Sequence, residues 1–253
     1  MLTKDEYYEL LGIDEDEKEL AILEAYDNFW KFCLYMDYGF FTIREKVLVD
    51  VAEAFQEIED GKLDLLYVGM PPRTGKSYIT SLWCAWALGR NPTESIMRNT
   101  VTSTLYNKFS SDIREIMLGN TNKGRYRDIF PEIKFATEKL EGWKLTDSRC
   151  GISYFGAGCG GTVIGLGCTK AAILDDSVKN AEEAFSEDAL QKKWDWYGST
   201  HKSRMEKTID GGECPEIHIA TRWSSLDIPG RLIEEGEFKG KRAKKIIIPA
   251  LVN

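Results

Sequence analysis

The stretch that decides the fold is LDLLYVGMPPRTGKS, residues 63–77, followed directly by YITSLWCAWALG, residues 78–89. The apolar run at residues 63–68 has the length and composition of a buried strand. The apolar spacing after Ser77 predicts a helix, which we expect to end at Gly89. Between them, PPRTGKS forms a turn that joins a strand to a helix. A phosphate-binding loop requires this context.

In such a loop, backbone N–H groups approach the phosphates, and the helix N-terminus adds a favourable dipole. We predict that Gly75 permits the approach, that Lys76 reaches the β- and γ-phosphates and that Ser77 holds Mg²⁺. The predicted ligands are therefore ATP and Mg²⁺. The predicted nucleotide-binding residues are Pro72, Arg73, Thr74, Gly75, Lys76 and Ser77.

Two residues of the loop stand out from the general pattern. The full motif G-x-x-x-x-G-K-[ST] has a glycine where this chain has Met70. Arg73 places a positive charge inside the loop, and two roles are open for it. It could stabilise charge beside the γ-phosphate during phosphoryl transfer, or it could brace the loop through a salt bridge.

The alternation of strand and helix patterns continues along the chain. Further strands are predicted at residues 95–97, 152–155, 162–164, 170–174, 216–220 and 244–248. Helices are predicted from residue 44 to Gly61, and through the stripe Leu105, Phe109, Ile113 and Met117. This order predicts an α/β fold with a mostly parallel central sheet flanked by helices. We expect residues 1–60 to form a helical segment packed on a core of residues 61–253.

Acidic residues follow one of these strands in AAILDDSVKNAEEAFS, residues 171–186. In mostly parallel sheets the ligand lies at the carboxyl ends of the strands. We predict that Asp175 supplies the carboxylate for the nucleotide-bound Mg²⁺. Hydrolysis also needs a group that orients or deprotonates water. Asp176 is favoured slightly for this role, and Glu182 and Glu183 remain alternatives.

A polar strand end also occurs in EIHIATRWSSLDIPGRL, residues 216–232. A threonine at the tip of a central strand can hydrogen-bond the nucleotide site and move with the γ-phosphate. We predict this coupling role for Thr221. Arg222, the next residue, could pair with phosphate or with the acidic cluster.

Taken in order and spacing, these three segments resemble the ATPase domain of the large terminase subunit of tailed bacteriophages. WALGRNP (86–92), LYNKFSSDIREI (105–116) and YRDIFPE (126–132) extend the resemblance to nearly the whole chain from about Phe29. The resemblance implies an ASCE-type P-loop NTPase fold, with Lys76 and Ser77 in the Walker A motif. It also implies that Asp175 is the Walker B aspartate and that Thr221 lies in the motif coupling hydrolysis to movement.

The resemblance further implies a motor that hydrolyses ATP to drive double-stranded DNA through a portal protein into an empty procapsid. The expected partners are DNA, the portal, the small terminase subunit and further copies of the chain in a ring, all in the host cell cytoplasm. Large terminases also carry an RNase H-like nuclease domain. The chain stops at IIIPALVN (246–253), so we expect an isolated ATPase domain without nuclease activity.

Two positions depart from the pattern of many relatives. Asp176 stands where many have a catalytic glutamate, and Leu166 stands where many have an arginine. An arginine that completes a neighbouring subunit's site therefore has no assigned position. The sequence leaves four candidates besides Arg73: Arg98, Arg114, Arg149 and Arg222.

Composition narrows the function classes. The net charge of −8 argues against a surface that coats nucleic acid non-specifically, and the basic run KGKRAKK (239–245) is expected to be a solvated loop. The six cysteines lack a C-x-x-C pair and are expected to be reduced thiols. No secretion signal or membrane span is expected.

Two alternatives to the packaging motor remain: another DNA-dependent P-loop motor such as a helicase, or a nucleotide-binding scaffold without turnover.

Overall fold

The computed structural model describes residues 15–161, 163, 165–240 and 242–249. Within them, the α-helices are α1 (Glu15–Asp27), α2 (Phe29–Ile43), α3 (Glu45–Glu59), α4 (Lys76–Arg90), α5 (Ser103–Leu118), α6 (Arg125–Ile129), α7 (Ala181–Ala184), α8 (Glu187–Trp196) and α9 (Ile228–Glu235). The strands are β1 (Leu65–Gly69), β2 (Ile96–Thr100), β3 (Phe135–Lys139), β4 (Gly142–Leu145), β5 (Tyr154–Phe155), β6 (Ala171–Asp175), β7 (Glu216–Ala220) and β8 (Ala243–Ile247). The predicted strand at 162–164 includes Thr162 and Ile164, which lie outside the described residues.

These eight strands form one sheet in the order β3-β4-β5-β2-β6-β7-β1-β8. Six neighbours in this order, β5-β2-β6-β7-β1-β8, are parallel to one another. The pairs β3 with β4 and β4 with β5 are antiparallel. The predicted α/β architecture is therefore confirmed: a mostly parallel sheet, flanking helices and a helical segment at the N-terminal side. None of the described helices combines the length and the apolar character needed to cross a bilayer.

The sheet register brings the ends of three strands to one edge. Gly69 of β1 lies opposite Ala220 of β7, and Ile219 of β7 lies opposite Asp175 of β6. Because all three strands are parallel, the segments that follow them emerge on the same side of the sheet. The loop PPRTGKS is one of these segments, so the register alone places it beside the two acidic residues and the threonine.

Helices cover both faces of the sheet, which explains why the central strands β2, β6 and β7 are buried on both sides. Ile173 and Ile217 face the larger core, which contains residues of α2, α3, α4 and α5. Leu174, one residue on, faces the smaller core, where it joins Trp196 of α8 and Leu232 of α9. Side chains alternate between the two cores along each strand because successive residues point to opposite faces.

The helical segment before β1 packs on α4 through aromatic side chains. Asn28 caps α2 by accepting a hydrogen bond from the Lys31 N–H, so the helix begins at Phe29. The Phe29 ring is fully buried, with its centroid 5.3 Å from that of Trp86 on α4 and 5.8 Å from that of Phe55 on α3. These contacts join the segment to the sheet in one continuous core.

One sequence-based expectation was wrong in detail, and one element was missed. Helix α4 continues through Gly89 and ends at Arg90. A Cβ at Gly89 would lie 2.7 Å from the Tyr126 hydroxyl and 2.8 Å from the Phe130 ring, so the glycine permits close packing and does not end the helix. The β3–β4 hairpin was also missed. Its first strand is mostly exposed and lacks an apolar alternation that would reveal it.

The packing of Phe29 leads to a stability prediction. Phe29→Ala is expected to lower the free energy of unfolding by about 3–5 kcal/mol, because it leaves a cavity between α2, α3 and α4. Urea denaturation followed by circular dichroism measures the change. Phe185→Ala is the matched control, since that ring is 85% exposed and its loss should change stability by less than about 0.5 kcal/mol. Equal effects of the two substitutions would contradict the described packing of Phe29.

Candidate functional site

The loop between β1 and α4 has a backbone conformation that its residues are suited to adopt. Gly75 is the N-cap of α4 and has a φ of 105°, a left-handed value that favours glycine. A Cβ there would also lie 2.9 Å from the Phe40 ring. The Thr74 hydroxyl donates to the Pro71 carbonyl at 2.8 Å and closes the turn. Arg73 is exposed at the loop surface with a φ of 65°.

Lys76 is the first residue of α4, and its ammonium lies at the centre of the site. The residue is 7% exposed. Its Nζ lies 2.8 Å and 2.7 Å from the two carboxylate oxygens of Asp176 and donates to the Thr221 hydroxyl at 2.8 Å. The structure therefore brings together three predicted site residues from the segments that follow β1, β6 and β7.

Asp176 and Thr221 are also joined directly to each other. The Thr221 backbone N–H donates to Asp176 Oδ1 at 2.9 Å, and the Thr221 hydroxyl lies 3.3 Å from the Met70 carbonyl, to which it can donate. The Asp176 N–H donates to the Ile219 carbonyl at 2.7 Å. Asp176 has a φ of 48°, a left-handed conformation that aspartate adopts more readily than most residues. This turn directs its carboxylate to Lys76, at the end of the PPRTGKS loop.

Asp175 lies beneath this network and is fully buried. Its Oδ2 accepts two contacts from the guanidinium of Arg98 on β2, one from Nε at 3.1 Å and a closer one from Nη2. Burial raises the pKa of Asp175, and the Arg98 guanidinium opposes that shift. The second oxygen, Oδ1, is buried without a hydrogen-bond partner among the described residues. A buried carboxylate oxygen without a partner is costly unless a ligand or water satisfies it.

The donor set fits a nucleotide-bound Mg²⁺. Mg²⁺ prefers oxygen ligands and is usually held by one or two protein groups together with substrate phosphates. The Ser77 hydroxyl, in the first turn of α4, and the free Oδ1 of Asp175 provide such oxygens. Arg98 links the two positions, since it also lies 3.4 Å from the Ser77 carbonyl.

Glu182 and Glu183 are not part of the Lys76 network. Glu183 is engaged in its own loop, where its carboxylate accepts the Lys179 N–H at 2.6 Å and lies 3.2 Å from the Lys193 ammonium. Glu182 is exposed on α7. Of the three carboxylates considered for water activation, Asp176 is the one in contact with Lys76.

The four arginine candidates differ in exposure. Arg98 is fully buried against Asp175, so its guanidinium cannot reach into a neighbouring subunit. Arg114 donates to the Glu138 carbonyl. Arg149 and Arg222 are exposed, and Arg222 follows Thr221 at the edge where the loop lies. The pairing of Arg98 with Asp175 was missed, because nothing in the sequence relates two residues 77 positions apart.

Comparison with known proteins does not extend this picture. No protein-family model matches the chain. A search of curated proteins also finds no significant match.

Proposed function

We propose that the chain has an ASCE-type P-loop NTPase fold and hydrolyses Mg·ATP at the edge where β1, β6 and β7 end. The observation that carries the proposal is the contact of Lys76 with both Asp176 and Thr221 at 2.7–2.8 Å. A buried ammonium held by one carboxylate and one hydroxyl is suited to exchange these partners for phosphate oxygens. The strand order also fits an ASCE-type fold, since β7 lies between β1, which precedes the loop, and β6, which ends at Asp175.

Each residue then has a chemical role. The Gly75 backbone and the N-terminus of α4 receive the phosphates, and Lys76 neutralises their charge. Mg²⁺, bound with the nucleotide, would be held by the Ser77 hydroxyl and Asp175 Oδ1 and would neutralise charge on the β- and γ-phosphates. Asp176, once released from Lys76, accepts the proton of the attacking water.

We further propose that this ATPase is the motor domain of a phage large terminase, driving double-stranded DNA through a portal into a procapsid. The support is the order of PPRTGKS, the acidic strand end and the ATRW segment along the chain. Because Arg73 and Arg222 are exposed at the loop edge, they are available to complete a neighbouring subunit's site in a homo-oligomeric ring. The small terminase subunit remains an expected partner, and the host cytoplasm the expected location.

The test combines nucleotide turnover with two DNA substrates. The purified chain is expected to bind a fluorescent ATP analogue in a Mg²⁺-dependent manner and to release phosphate, while leaving a forked duplex unseparated. Efficient strand separation would reject packaging and favour a helicase. Tight Mg·ATP binding with background phosphate release, also when DNA and the portal protein are added, would reject the motor and favour a nucleotide-binding scaffold.

A further inference from the structure

The buried Arg98–Asp175 pair has an asymmetric geometry. Two guanidinium nitrogens of Arg98, Nε and Nη2, contact the same carboxylate oxygen, Oδ2. Oδ1 of Asp175 is left without a hydrogen-bond partner among the described residues, although it is buried. A fork-to-fork arrangement would have used both oxygens and is the common geometry for this pair. Here the arginine occupies one oxygen and leaves the other for a different ligand.

Arg98 also reaches the helix that follows the phosphate loop. Its Nη1 donates to the Ser81 hydroxyl at 2.9 Å, and its Nη2 lies 3.4 Å from the Ser77 carbonyl. The Ser81 hydroxyl donates in turn to the Ser77 carbonyl at 2.9 Å. One guanidinium therefore ties β2 and β6 to the turn of α4 that carries the Ser77 hydroxyl.

The position of Arg98 is costly for a purely structural role. The residue is fully buried, and its guanidinium lies 3.9 Å from the centre of the Phe109 ring. Burying an ion pair contributes little net stability, and apolar residues of similar volume often serve as well or better. The arrangement is better explained by what it does to Asp175 and Ser77.

We propose that Arg98 is a positioning residue for the metal site: it holds Oδ2 of Asp175, so that Oδ1 is presented as the Mg²⁺ ligand in fixed relation to Ser77. The inference rests on the nucleotide site proposed above and adds a residue to it. Partners that orient metal ligands typically change metal affinity by about 10- to 100-fold when they are substituted. Arg98 is expected to act on Mg²⁺ in this range while leaving phosphate binding by the loop intact.

The experiment measures binding of a fluorescent, non-hydrolysable ATP analogue in EDTA and across a Mg²⁺ titration. In Arg98→Met, affinity in EDTA should stay within about 2-fold of wild type, whereas the half-saturating Mg²⁺ concentration should rise by about 10- to 100-fold. Arg98→Lys keeps a charge beside Asp175 but loses the forked contacts to α4. Because it keeps the charge, Arg98→Lys should fold even where Arg98→Met is too unstable to purify. Its Mg²⁺ requirement should still rise several-fold.

Lys170→Met is the matched control. Lys170 forms another ion pair, 2.7 Å from Glu59, directly before β6, and its side chain is 13% exposed. Its loss should also lower the melting temperature and should leave the Mg²⁺ requirement unchanged. If Arg98→Lys, and Arg98→Met where it folds, keep the wild-type Mg²⁺ requirement, the proposed positioning role of Arg98 is overturned. The proposed nucleotide site is not affected by that outcome. Binding by the wild type without any Mg²⁺ effect would instead reject the nucleotide site itself, together with this role.

Discussion

Lys76→Ala is expected to reduce ATP turnover by about 10²–10³-fold or to background, while the chain still folds. The ammonium is the group at which Asp176 and Thr221 converge, and in the proposed site it neutralises the β- and γ-phosphates. Removing it leaves negative charge uncompensated where the transition state develops more of it. Steady-state phosphate release measures the loss, and thermal melting verifies the fold.

Lys62→Ala provides a matched control for Lys76→Ala. Lys62 also lies 2.7 Å from an aspartate, Asp60, but its side chain is 67% exposed and lies away from the loop. An exposed pair of this kind contributes little, so turnover should remain at the wild-type value. If Lys76→Ala hydrolyses ATP within a few-fold of the wild-type rate, hydrolysis does not take place at the proposed site.

Asp176→Asn is expected to stop chemistry and to strengthen nucleotide binding. The carboxylate is the proposed proton acceptor for water, a role that contributes about 10²–10⁴-fold to a rate. It also contacts the Lys76 ammonium through both oxygens, where it would compete with an incoming phosphate. The amide has the same shape and can still accept the Thr221 N–H, but it holds the ammonium less strongly. Affinity should therefore rise by roughly 2- to 10-fold.

Single-turnover hydrolysis and equilibrium binding separate the two effects of Asp176→Asn. Glu183→Gln is the matched comparison, because Glu183 is engaged with Lys179 and Lys193 and not with Lys76. Its hydrolysis rate should change by less than about 3-fold, and Glu182→Gln should behave similarly. A block of chemistry in Glu183→Gln with a normal rate in Asp176→Asn would reverse the assignment of the water-activating acid.

Several structural features were predictable because their signals are local in sequence. β1, the loop and α4 follow from an apolar run, a turn with Gly75 and a helical pattern, all within about thirty residues. The prediction of a strand at 216–220 matches β7, where Ile217 and Ile219 alternate with polar residues. The β3–β4 hairpin was not predictable, since its mostly exposed first strand is stabilised by pairing at the sheet edge and not by an apolar pattern.

The sequence by itself determined the α/β architecture and the position of the PPRTGKS loop between a strand and a helix, and it singled out the acidic residues and the threonine that follow two other strands. Only the tertiary structure decided how these residues meet. Lys76 reaches Asp176 across 100 residues and Thr221 across 145. Such contacts depend on strand order and register, which no local pattern specifies. The same holds for Arg98, whose burial against Asp175 turns a candidate for contact between subunits into a partner inside the site.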